Sequence, residues 1–122
     1  MTTRNILIVD DNQDFAFMLK DDLQKRGYAV RLARDGQEGL AKVEAEKPDL
    51  ILLDIKMPKM DGYTFVRRLK QNANTSAIPL VILTSYEPLK DIFSQEDVAD
   101  YFLKSADMEP LFAIIEKKLK TN

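Results

Sequence analysis

The sequence predicts a doubly wound α/β domain built on a parallel sheet. Three observations carry that prediction. Five short apolar runs alternate with longer amphipathic stretches. The first, third and fourth runs are apolar at consecutive positions, as strands covered on both faces by helices should be. Acids stand at the ends of two of these runs, Asp10 and Asp11 after Ile6–Val9 and Asp54 after Leu50–Leu53. The carboxyl ends of strands are where open α/β sheets place their ligand crevice.

Taken in chain order, Asn5–Val9 is the first expected strand. The helix after it shows Phe15, Leu19 and Leu23 at i, i+4 and i+8, with Asn12 as N-cap and Gly27 ending the run. Ala29–Ala33 is the second strand. A helix over Gln37–Glu46, introduced by Asp35-Gly36, must stop before Pro48. Leu50–Asp54 follows as the third strand, and a helix from Tyr63 to Gln71 comes after a turn at Asp61-Gly62. Leu80–Thr84 is the fourth strand. Leu89, Ile92 and Phe93 after Pro88 mark a weaker helical segment, and Tyr101–Leu103 is the fifth strand. The last helix carries Leu111, Ile114, Ile115 and Leu119 after Pro110. Lys117, Lys118 and Lys120 near its end suit the helix dipole. The result is (βα)₅ with right-handed crossovers. In so short a chain it favours a flavodoxin-like three-layer sandwich with strand order 2-1-3-4-5. No linker or repeat interrupts the pattern, so residues 1–122 are expected to form one domain, with no output domain.

Composition narrows the chemistry. The 122 residues are 45% apolar, enough for a real core. A net charge of −2 with 31% charged residues argues against a nucleic-acid or anionic-membrane surface. The absence of cysteine removes disulfides, zinc-thiolate sites and thiol nucleophiles. The absence of histidine removes imidazole bases and most transition-metal sites. Carboxylate, hydroxyl and lysine chemistry remain, together with hard cations. Met1-Thr2-Thr3-Arg4 leads straight into an apolar run without the pattern of a signal peptide. No run approaches the ~20 apolar residues of a membrane span. A cytoplasmic domain is expected.

Two neighbouring strands ending in acids would bring three negative charges together. At an effective dielectric of about 20, two charges ~4 Å apart repel by roughly 4 kcal/mol. Compensation must come from Lys, Arg or a bound cation. The economical reading is a divalent metal on oxygen ligands, with one carboxylate left to do chemistry.

Asp10-Asp11, Asp54, Met57-Pro58, Asp61-Gly62, Thr84, Tyr101 and Lys104 together resemble the response-regulator receiver domain of two-component signalling, chemotaxis regulators included. Taken singly, Thr84 reads as a strand residue, Lys104 as a surface charge and Tyr101 as a core aromatic. In this order on successive strand ends they form a specific signal that spans essentially the whole chain. The resemblance implies that Asp54 is a nucleophile taking a phosphoryl group from a sensor histidine kinase or phosphotransfer protein. The chain would then be a phosphoacceptor that modifies itself, with no substrate turned over. Mg²⁺ would be held by Asp11, Asp54 and the Lys56 carbonyl, with Asp10 binding directly or through water. Lys104 and Thr84 would contact phosphoryl oxygens, and Thr84 and Tyr101 would form the switch. The output face would comprise the segment around Leu89–Phe93, the fifth strand and the last helix, directed at a downstream protein target or a second copy in a homodimer.

Some positions depart from the family pattern. Ser105 follows Lys104 where proline is usual, and Asp97-Val98 replaces a common Gly-Ala pair. Lys56 and Tyr86 border the path of attacking water in the family and would slow loss of the phosphate. Phe17 falls on the polar face of the first helix, beside Asp21, and is a candidate docking contact. Three other readings compete. A phosphorylation-independent binding module would have no need of clustered acids. A phosphohydrolase would want a second acid where Lys56 stands. A flavin protein would want a hydroxyl- and glycine-rich loop where Asp11-Asn12-Gln13-Asp14 stands.

Overall fold

The computed structural model describes residues 3–54, 60–84, 100–103 and 107–120. The elements are β1 (Asn5–Val9), α1 (Gln13–Lys25), β2 (Ala29–Ala33), α2 (Gly36–Ala45), β3 (Leu50–Asp54), α3 (Met60–Gln71), β4 (Leu80–Thr84), β5 (Asp100–Leu103) and α4 (Glu109–Lys120). All pairings are parallel and the sheet order is β2-β1-β3-β4-β5, as expected from the sequence. The helical segment expected around Leu89–Phe93 lies outside the described residues.

Alternation along the strands builds two cores. Leu7, Val9, Ile51, Leu53, Leu80 and Ile82 face one side, where Val43 of α2 and Phe65, Val66 and Leu69 of α3 meet them. Ile6, Ile8, Leu50, Leu52, Val81 and Leu83 face the other, against Ala16, Leu19 and Leu23 of α1 and Leu111, Phe112 and Ile115 of α4. Helices on both sides explain why the central strands carry no polar alternation. The helix pairs thus form the outer layers of the three-layer sandwich.

Helix ends follow local chemistry. The Asn12 side chain accepts from the Phe15 N–H, and the Asp35 side chain from the Glu38 N–H. The end of α1 is a Schellman motif, in which Tyr28 N donates to Leu23 O at 3.1 Å and Gly27 N to Gln24 O at 3.0 Å. Gly27 sits at φ +100, where an L side chain would be strained. Arg31 of β2 closes α2 by donating to Lys42 O at 2.9 Å and Glu46 O at 2.6 Å. The Arg26 guanidinium lies 3.9 Å from the centre of the Phe112 ring and ties α1 to α4.

Two helices differ in their bounds from the sequence expectation. The second helix runs one residue earlier at each end, because Asp35 caps it and Glu46 is already extended. The third begins at Met60, so Asp61-Gly62 lies in its first turn and not in a turn before it. A glycine costs a helix about 1 kcal/mol, less than the buried stripe Phe65, Val66 and Leu69 gains by anchoring that helix to the sheet.

Candidate functional site

The site follows from strand phase and register. Val9 of β1 pairs with Leu53 of β3, so the next positions, Asp10 and Asp54, stand side by side. Both continue the phase of Ile6, Ile8, Leu50 and Leu52, and so leave the sheet toward the same face. Asp11 follows directly, in the loop that enters α1. Carboxylate oxygens of Asp10, Asp11 and Asp54 all lie within 4.8 Å of one another. At an effective dielectric of about 20, each such pair repels by about 3.5 kcal/mol or more.

Each acid has a different setting. Asp10 is 2% exposed. Its backbone N–H donates to Ala33 O at 2.9 Å, and its Oδ1 accepts from the Asn12 N–H at 2.8 Å. Asp54 is half-buried on β3, the middle strand of the sheet, and Asp11 is exposed. The donor set is entirely oxygen and carries concentrated negative charge, which fits a hard divalent cation and not a thiophilic one.

One further expected site position, Thr84, reaches the same region by backbone alone. Asp54 pairs with Leu83, so Thr84 ends β4 one step beyond it. Thr84 pairs in turn with Leu103, immediately before Lys104 in sequence. Tyr101 lies in β5 opposite Ile82. Lys56, Tyr86, Lys104 and the Lys104-Ser105 joint lie outside the described residues. Phe17 is 55% exposed, as the helical phase of α1 requires. Met18 beside it, which the sequence did not single out, is 47% exposed and extends the apolar patch. Its spacing hides it in the sequence: Met18 stands three residues after Phe15 and so mimics a core position.

Among the described residues, no helix is long and apolar enough to cross a membrane. Residues 6–116 match the response regulator receiver domain family. PilH of Pseudomonas aeruginosa is 38% identical over 93% of this chain and 96% of its own length. Several other curated relatives are longer, and the chain spans only 24% of PleD of Caulobacter vibrioides at 37% identity. Among solved structures, the response regulator TrrA of Thermotoga maritima, in complex with Mg²⁺-BeF, is 28% identical with a TM-score of 0.85. That match covers 95% of this chain and 99% of TrrA. The phosphorylated cyanobacterial phytochrome response regulator RcpA is 31% identical with a TM-score of 0.82, over 99% of this chain and 97% of RcpA. Domains of this kind carry signals and meet histidine kinases or phosphotransfer proteins. A sheet of this order with acids at the ends of β1 and β3, matched over nearly the whole chain, places it in that company: the chain belongs to the response regulator receiver domain family and is a phosphoacceptor domain of two-component signalling.

Proposed function

We propose that Asp54 is the phosphoryl acceptor. A carboxylate oxygen of Asp54 attacks the phosphorus of a partner's phosphohistidine, the P–N bond breaks, and an aspartyl phosphate remains. The observation that carries this reading is the convergence of three carboxylates within 4.8 Å at the carboxyl edge of the sheet. Asp54 is the one on the central strand, at the carboxyl edge of the sheet, and its two carboxylate oxygens are shielded from solvent, so its position is fixed and water is kept from the acceptor oxygen. Asp10, Asp11, Asp54 and the backbone carbonyl of Lys56 would hold Mg²⁺. When bound, the metal supplies positive charge that offsets charge on the transferring phosphoryl oxygens. The Mg²⁺-BeF complex of TrrA and the phosphorylated state of RcpA support carrying this chemistry over.

Lys104 presents its ammonium to one phosphoryl oxygen and Thr84 its hydroxyl to another. The new group brings roughly −2 charge at neutral pH. Thr84 moves toward it and Tyr101 turns into the vacated space, which changes the face made by the segment around Leu89–Phe93, β5 and α4. Moving such an equilibrium from 1:99 to 99:1 takes about 5.5 kcal/mol, more than one hydroxyl bond supplies, so the Lys104 and metal contacts share the task. Lys56 and Tyr86 slow hydrolysis of the phosphate. The partner is a sensor histidine kinase or phosphotransfer protein that meets the Phe17–Met18 patch of α1. Residues 1–122 act as one unit in the cytoplasm, addressing a downstream protein or a second copy.

The test is incubation with a small-molecule phosphodonor and MgCl₂, read by intact mass. The parent is expected to gain one phosphoryl group and Asp54→Asn none. Equal labelling of the variant overturns the assignment of Asp54. A parent that takes up neither Mg²⁺ nor phosphoryl groups favours a binding module without phosphate chemistry.

A further inference from the structure

We infer that Asn12 is the positioning residue of the acidic cluster, setting the Asp10 and Asp11 carboxylates for the cation. The inference rests on the reading of that cluster as the Mg²⁺-assisted acceptor site. Asn12 is bonded in two directions. Toward the site, its backbone N–H donates to Asp10 Oδ1 at 2.8 Å. Toward the helix, its side-chain Oδ1 accepts from Phe15 N at 3.1 Å, and its carbonyl accepts from Ala16 N at 3.0 Å. Ala16 and Leu19, at 1% and 0% exposure, are locked into the core beside Ile6 and Ile8. A chain of contacts therefore runs from the core through the first turn of α1 and Asn12 to the buried carboxylate of Asp10. Asp11 sits between the two tied residues, so its backbone is held from both sides.

The residue type matters as much as the place. Asp, Asn and Ser cap helices about equally well. The neutral amide of Asn12 provides the acceptor oxygen without adding a fourth negative charge beside the three carboxylates.

The experiment measures Mg²⁺ affinity by NMR titration of the full chain, a readout that a uniform loss of stability does not move. Phosphorylation by a small donor at subsaturating MgCl₂ is followed in parallel. Asn12→Gly is the decisive variant, because glycine is well tolerated at an N-cap yet offers no side-chain acceptor. Losing a direct partner of a metal ligand weakens metal binding by roughly tenfold or more; Asn12→Gly and Asn12→Ala keep the backbone bond to Asp10 and lose the side-chain bond that anchors it, so a weakening of up to about tenfold is expected for both. Asn12→Ser should restore the parent affinity. Thr75→Val, which removes an uncharged bond from Thr75 Oγ1 to Leu69 O (2.7 Å) at the far end of the sheet, should leave the affinity unchanged. Parent affinity in Asn12→Gly, or equal weakening in Thr75→Val, overturns the role of Asn12 and leaves Asp54 as acceptor intact. A parent chain that binds no Mg²⁺ overturns both readings together.

Discussion

The acidic cluster should make the metal-free protein less stable than its own charge-deleted variant. Asp54→Asn keeps the shape of the side chain and removes one of three charges whose oxygens lie within 4.8 Å. At about 3.5 kcal/mol or more per pair, the repulsion of Asp54 with Asp10 and Asp11 comes to about 7 kcal/mol before solvent and salt screening. Asp11 is exposed, so solvent and salt screen its share heavily. A net gain of about 1–2 kcal/mol in EDTA is expected. For 122 residues, an unfolding entropy of about 2.1 cal/mol/K per residue makes 1 kcal/mol worth about 4 °C. Asp54→Asn should therefore melt about 4–8 °C above the parent in EDTA at low salt, and the gap should narrow in high salt. MgCl₂ at ten times its Kd should raise the parent by about 1.4 kcal/mol, or about 5 °C, and the variant by clearly less. Differential scanning calorimetry reads both effects. A variant that melts at or below the parent in EDTA, or that responds equally to MgCl₂, would refute the electrostatic account of the cluster.

Three further outcomes follow from the packing and the surface. In Gly39→Ala the new Cβ would meet Phe65 Cε1 at 2.9 Å and Val9 Cγ2 at 3.1 Å. Overpacking of about 1–3 kcal/mol should exceed the helix-propensity gain of about 1 kcal/mol, so urea unfolding should report a net loss of about 1 kcal/mol and not a gain. Arg31→Met strips Lys42 O and Glu46 O of their side-chain donor, and urea unfolding should show a loss of about 1–3 kcal/mol. Its bond to Asn5 places Arg31 at the end of the sheet away from the acids, so its initial rate of phosphorylation should stay at the parent value. Phe17→Ala should slow phosphotransfer from the partner kinase while leaving uptake from a small donor unchanged, and equal kinetics with both donors would remove the patch from the docking surface.

Much of this is legible in the sequence. Strand phase is a property of sequence, so β1 to β4 could be bounded and their order inferred from the alternation of element types. The cluster of Asp10, Asp11 and Asp54 was legible for the same reason, since a strand end is a place in space once the sheet order is known. What escaped was tertiary. Nothing in the run Gly36–Ala45 marks Gly39 as the point where α2 presses on Phe65, because that contact joins two helices distant in sequence. Nor does Arg31 announce itself as a stopper for α2, since its partners are carbonyl groups, which carry no residue signature. The early start of α3 is not legible locally because turn preference at Asp61-Gly62 yields to long-range anchoring.

The shared phase of Asp10 with Ile8 and of Asp54 with Leu52 has an evolutionary corollary. Inserting or deleting one residue in β1 or β3 would turn the acids to the wrong side and bring the greasy positions out of place in the same stroke. Foldedness and signalling can therefore not be separated by length changes in these strands. Point replacement of an acid is another matter, for it is expected to leave a sound, even sturdier scaffold. With Asp54 as the proposed phosphoryl acceptor, descendants that keep the shape and discard the chemistry lie a single codon away.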